Sequence, residues 1–227
     1  MKKETIQMSE AIPTGILLTL SGGLQDAYTY FGRDGVFANA QTGNIVLLGT
    51  HVAAGQWSLA LRYALPVVAF AAGVYAAEHI KKHFKETSKT LHWRQIVVAI
   101  EIVLLFAVGF LPQSANVAAN ILVSFVCSMQ VNTFRKLKGA PYATTMCIGN
   151  LRSGTEQLYA WRQTKDPKIL EKCLRYYGVI AIFGFGATLG SLATRGLGAR
   201  AIWVSCALLV AVFCIMFIHE KEEERNA

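Results

Sequence analysis

The chain has 227 residues, of which 53% are apolar and only 16% charged, and its mean hydropathy is +0.38. The apolar residues gather into long runs with few or no charges, which leaves no room for a separate soluble domain. A net charge of +8 does not point to nucleic acid, because no basic helix carries interleaved aromatics and most positive charges fall between the apolar runs.

The first run, 12–31, follows Lys2 and Lys3 and has the outline of a secretion signal. No small-residue cleavage site follows it, however, and Gln25 and Asp26 sit where a retained functional helix would carry them. Further runs cover 65–77, 96–111, 115–131, 176–193 and 201–218, each near the length needed to cross a bilayer. These runs predict an all-α, polytopic membrane protein with about six transmembrane helices in one membrane domain, 1–227. The five cysteines, Cys127, Cys147, Cys173, Cys206 and Cys214, lack paired metal-ligand spacing and read as small apolar packing residues.

Two polar, Gly-containing breaks interrupt the apolar pattern. One is Gly35-Val36-Phe37-Ala38-Asn39-Ala40-Gln41-Thr42-Gly43-Asn44; the other, Gly139-Ala140-Pro141-Tyr142-Ala143-Thr144-Thr145-Met146-Cys147-Ile148-Gly149-Asn150, lies about 105 residues later. Upstream, Gly23-Leu24-Gln25-Asp26-Ala27-Tyr28 is echoed by Ser128-Met129-Gln130-Val131-Asn132-Thr133, with the glutamines in register once one inserted residue is allowed. The echo predicts an internal repeat, with halves at 12–111 and 115–218.

Basic residues set the expected topology. With six crossings, two non-crossing breaks and a cytoplasmic N-terminus, eighteen Lys and Arg fall inside and four outside, the outer ones being Arg33, Arg62, Arg195 and Arg200. If both breaks crossed, the division would be eleven against eleven. Six crossings put both termini and the loops 81–95 and 152–175 in the cytoplasm. Three crossings per half make the repeat inverted, so the breaks enter from opposite faces and end near the midplane as re-entrant segments.

Backbone that leaves helical geometry inside a membrane survives only when buried in protein or lining a wet cavity. Gly43 and Gly149 would permit the breaks, and helices restarting at Asn44 and Asn150 would aim their N-termini at the midplane, where they suit a carboxylate, phosphate or inorganic anion. The substrate-binding candidates are therefore Gln25, Asn39, Gln41, Thr42, Gly43, Asn44, Gln130, Asn132, Thr144, Thr145, Gly149 and Asn150. The bland alternative is that each Gly-Asn pair is a helix cap whose amides satisfy local backbone.

An ionised Asp26 inside a span would cost on the order of 2.5–3.5 kcal/mol, so it should face protein or water, as proton carrier, cation ligand or hydrogen-bond anchor for the adjacent break. Glu101 is the other intramembrane acid, about 7 Å inside its span by helical rise, where it could snorkel. Both are candidates for proton or ion coupling. Arg62 is placed to anchor at the interface or to pair with Asp26. His79 and His83 have helical metal-ligand spacing, yet Lys81, Lys82 and Lys85 beside them argue against a metal. With no nucleophile beside a base and no phosphate-cradling Gly-rich loop followed by Lys, neither cofactor nor enzyme activity is expected.

At the stretches Gly23–Tyr28 and Gly35–Asn44 the chain closely resembles the YoaK-like family of bacterial multi-pass membrane proteins, a domain-of-unknown-function group. The resemblance covers nearly the whole length and implies a bacterial cytoplasmic membrane. The second break is the looser match, with Ile148 where the first has Thr42. The leading function is a small secondary transporter or permease for a small polar or anionic solute, held in the lipid bilayer and open to homo-oligomer formation. A channel or a non-transporting scaffold are the alternatives.

Overall fold

A computed structural model of the chain describes residues 11–85, 92–137, 140–142 and 144–225. Lys2, Lys3, residues 86–91 of the predicted cytoplasmic loop, Lys138, Gly139 and Ala143 lie outside those residues. Eight α-helices are described: α1 (Ile12–Gly32), α2 (Gln41–Ala53), α3 (Trp57–Phe84), α4 (Trp93–Val108), α5 (Asn116–Thr133), α6 (Cys147–Thr164), α7 (Pro167–Leu197) and α8 (Ile202–Arg225). A two-stranded antiparallel hairpin, β1 (Lys136–Leu137) with β2 (Ala140–Pro141), precedes α6.

Each predicted run lies mostly on a helix, although 96–111 continues three residues past the end of α4, and α3 and α7 outrun theirs at both ends. Apolarity marks the part of a helix that needs an apolar surround, whereas the helix itself continues until turn chemistry stops it. Three described helical stretches, Trp57–Phe84, Gln113–Thr133 and the α7–α8 stretch Pro167–Met216, are long and apolar enough to cross a membrane. Large apolar side chains are exposed around the bundle, among them Phe31, Val68, Tyr75, Val103, Phe185 and Leu192. So much outward apolar surface suits a surround of lipid rather than water.

The helices pack as two matching sets. α1 lies on α7 as α5 lies on α3; α2 lies on α3 as α6 lies on α7; α1 meets α8 as α5 meets α4; and α4 meets α8. Exchanging α1 to α4 for α5 to α8 leaves this pattern unchanged. The two main crossings also use equivalent residues: a Cβ on Gly186 of α7 would collide with the Leu20 carbonyl of α1, and one on Gly73 of α3 with the Phe125 carbonyl of α5. Leu20 and Phe125 are 105 positions apart, the same offset as Gln25 and Gln130. Bare Cα atoms at these points let the helix axes approach closely, as in small-residue packing within membranes.

Helix ends sort into two groups. At one end Arg33, fully buried, donates from its guanidinium to the carbonyls of Val108, Leu111 and Pro112 and to Asn116 Oδ1, over 2.9–3.2 Å. Its Nε donates to Tyr28 OH, which donates in turn to the Ala199 carbonyl. The end of α1, the α4–α5 turn and the α7–α8 turn are thereby tied together. The second group joins Glu78 near the end of α3 to Asn132 and Arg135 at the end of α5, with Lys81 packed over Trp93 at the start of α4.

Candidate functional site

The first break is a return path along α1. After Gly32 the chain turns through Asp34 and Gly35, both left-handed with φ of 68° and 72°, a conformation that Gly and Asp tolerate best. It then runs back beside the helix it has just left. The Phe37 ring stacks on Tyr30 at 4.6 Å, the Asn39 N–H donates to Asp26 Oδ1 at 2.8 Å, and Asn39 Nδ2 donates to the Gly22 carbonyl at 3.2 Å. Gly22 lies ten residues before the end of α1, roughly 15 Å of helical rise. There the chain reverses again into α2.

The second break, 134–146, arrives at the same place. Gln130 Nε2 of α5 donates to Thr144 Oγ1 at 3.2 Å and to the Leu18 carbonyl of α1 at 3.1 Å. A Cβ on Gly22 would collide with the Thr145 methyl group. Asn39 from one break and Thr145 from the other therefore meet on a single turn of α1. The second break carries the β1–β2 hairpin, so it is longer and less like the first than the motif alone suggests.

Around that turn the interior is polar. Gln25 Nε2 donates to Ser21 Oγ at 2.9 Å and to Ser205 Oγ of α8 at 2.8 Å, the two hydroxyls are 2.6 Å apart, and Cys127 Sγ of α5 donates to Gln25 Oε1. Gln25, Asn39, Gln130, Thr144 and Thr145 are all buried. Ser205 and Cys127 were not candidates from the sequence. A lone Ser in an apolar helix has no signature, and Cys127 in sequence reads only as a packing residue; a buried polar side chain finds its partner in whatever the fold brings alongside.

The Gly-Asn pairs need correction. Helix α2 begins at Gln41 and α6 at Cys147, so Gly43-Asn44 and Gly149-Asn150 occupy the first helical turn and the backbone breaks upstream of them. Asn44 holds that turn: its Nδ2 donates to the Phe37 carbonyl and Gln41 Oε1, and its Oδ1 accepts from the Phe37 N–H. Gln41 Nε2 donates to the Ala38 carbonyl. The N–H groups of Gln41 and Gly43 go to the carbonyls of Asn39 and Ala40, so few donors remain at the α2 N-terminus for an anion. Thr42 and Ile148 both point outward, Ile148 being 81% exposed. The mismatch between the two motifs therefore falls on an outer face. Asn44 and Asn150, two positions further on, are buried; Gly43 is partly buried and Gly149 exposed.

Three other candidates lie elsewhere. Asn132 belongs to the Glu78 and Arg135 cluster at the far end of α5, where its Nδ2 donates to Glu78 Oε1 at 3.0 Å and its Oδ1 accepts from Arg135. Arg62 pairs at 3.7 Å with Asp34 rather than Asp26. Glu101 does not snorkel: it is fully buried on α4, which packs on α5 and α8, and neither carboxyl oxygen has a hydrogen-bond partner among the described residues.

Apolar helices enclosing a buried polar junction define an integral membrane protein. The chain belongs to the family described as protein of unknown function (DUF1275), whose model matches residues 14–215, in line with the YoaK-like resemblance of its motifs. It is 25% identical over 205 residues to the UPF0700 transmembrane protein YoaK of Bacillus subtilis (strain 168), covering 86% of this chain and 89% of that one. No solved structure matches it.

Proposed function

We propose that this membrane protein is a secondary transporter whose solute binds where the two breaks meet on α1. The observation that carries the reading is the convergence of Asn39 and Thr145 on Gly22, one turn from Asp26. Two non-helical segments brought together at depth in a bundle are the usual architecture of a midplane transport site. The matching packing of the halves supports an inverted repeat of three crossings each, with α2 and α6 as re-entrant helices. The charge asymmetry supports cytoplasmic termini.

The unpaired atoms point to the chemistry of the solute. Asn39 Oδ1 and Gln130 Oε1 at the junction and both oxygens of Glu101 on α4 are acceptors buried without partners among the described residues, and the Thr145 hydroxyl, likewise unpartnered there, can donate or accept. A small neutral or cationic solute that donates hydrogen bonds fits that set better than an anion. Carboxyl groups so placed need a proton or a cation beside them, which gives Asp26 and Glu101 the part of coupling groups. Their asymmetry fits it too, since Val131 stands at the repeat position of Asp26.

Purified protein in liposomes is expected to give saturable uptake of a small amine or polyol, faster under an inward proton gradient. Asp26→Asn should remove the gradient dependence. Flux that never saturates and survives Asp26→Asn would instead indicate a pore, and an absence of flux across a broad solute panel would leave a scaffold.

A further inference from the structure

Leu18, Gly22 and Asp26 stand four apart on α1 and therefore share one face of the helix. Both breaks are anchored along that face. Gln130 Nε2 donates to the Leu18 carbonyl, Asn39 Nδ2 to the Gly22 carbonyl, and the Asn39 N–H to Asp26 Oδ1. A carbonyl can only accept, so each amide has to turn its nitrogen to α1 and its oxygen away. Those oxygens, Asn39 Oδ1 and Gln130 Oε1, are buried without hydrogen-bond partners among the described residues.

Two hydroxyls join them. The Thr145 methyl group lies against Gly22, and Thr19 stands three positions before Gly22 on the same side of α1. Both residues are buried, and neither hydroxyl has a partner among the described residues. Thr19 has no place in the repeated motif. Four unpartnered oxygens are thus gathered beside the turn 18–22, and Asp26 follows about 6 Å further along the helix. Asp26 is partly exposed, so an entering cation meets the charge first.

Buried acceptors in this number are unfavourable until a positive charge or a set of donors reaches them. Gln130 already uses both of its N–H groups, on Leu18 and Thr144, which leaves its oxygen as the free end. No ion pair among the described residues includes Asp26. One carboxylate among neutral oxygens balances a single positive charge, whereas a divalent ion would leave one charge uncompensated in the interior.

We propose that this face of α1 binds a small monovalent cation, either an alkali ion such as sodium or the ammonium group of a primary amine. Thr19, Asn39, Gln130 and Thr145 are its neutral ligands and Asp26 is its counter-charge. The proposal rests on the junction being the solute site, and it narrows the solute from neutral or cationic to cationic.

The test uses the full chain in neutral detergent, with thermal unfolding midpoints as the readout. Sodium chloride, methylammonium chloride or glycerol is added against choline chloride, whose nitrogen carries no N–H, at equal ionic strength. A midpoint raised by sodium alone assigns the site to an alkali ion, and one raised by methylammonium alone to an ammonium group; a rise with both means that it takes either. The double variant Thr19→Val/Thr145→Val should weaken binding of the stabilising cation by about tenfold or more. Without a cation its midpoint should be no lower than wild type, because the hydroxyls it removes have no partners. Thr188→Val, which removes an exposed hydroxyl bonded within its own helix, should leave binding unchanged. Stabilisation by neither cation, or undiminished cation binding in the double variant, overturns the proposal. If the double variant does not fold, the two single variants are read instead, and unchanged binding in both overturns it. Stabilisation by glycerol alone overturns the cation site and leaves the transporter reading standing. Cation binding by a protein that moves no solute in liposomes does the reverse.

Discussion

Arg33 carries more of the architecture than any other single side chain. Its guanidinium closes the carbonyl end of α4, where the helix dipole is negative, and among the described residues no carboxylate pairs with it. Arg33→Ala would leave several buried carbonyls without donors, each costing about 1–3 kcal/mol. A loss of at least ~3 kcal/mol in unfolding free energy is expected, with Arg33→Lys between it and wild type because an ammonium cannot span the same acceptors. Asn44 makes a similar case within one break. Asn44→Leu should lower the unfolding midpoint whether or not solute is present, since its amide serves the Phe37 backbone; a variant of normal stability with altered solute affinity would return Asn44 to the binding set. Neither role was visible in the chain. In the sequence Arg33 is one outer charge among four, and the acceptors of its two terminal nitrogens lie 75 to 83 positions away.

At the level of elements, the turn into α4 and the glycine crossings are open to test. His92 caps α4: its Nδ1 accepts from the Arg94 N–H, while its own N–H donates to Gln95 Oε1. Burial, then the nearby Arg94 charge, pushes the His92 imidazole down to about 4 from an ordinary 6.5. The unfolded chain therefore takes up this proton first as pH falls. The stability contributed by the neutral cap is complete above about 6.5 and is lost on acidification towards about 4. His92→Asn keeps an acceptor at the cap and should flatten the fall in unfolding midpoint over that window; an unchanged slope would assign it to other groups. The crossings make a paired prediction. Gly73→Ala and Gly186→Ala each place a methyl group against a neighbouring backbone carbonyl, so each should cost about 1–3 kcal/mol. Comparable losses are expected because the two contacts occupy matching places in the two sets of helices. The breaks are legible at this scale because the pattern occurs twice, yet the helices that follow them restart three residues before the Asn44 and Asn150 that the pattern points to: Gly-Asn suits a first helical turn as well as a break, and nothing local distinguishes the two.

For the whole molecule, the reading to test is two halves inserted in opposite senses. In a cysteine-free background, single cysteines at Asp34 and at Thr164 should react with a membrane-impermeant maleimide from opposite faces, Asp34 from outside. Labelling of both from one face would rule out six crossings with opposed breaks. What the amino-acid order determined by itself is the kind of molecule and its periodicity: apolar runs demand lipid, and a repeated polar motif 105 residues on implies a repeated fold. It also marked Gln25, Asp26 and Gln130, because polar groups stand out against apolar helices. Only the tertiary structure decided which of the marked residues meet. Thr42 turned outward and Asn132 went to the far end of α5, while Ser205, Cys127 and Thr145 came in from distant positions to Gln25 and Gly22. Which face of a helix turns inward depends on the neighbour it packs against, and inside a bundle with an apolar surround outward and inward surfaces are alike in composition.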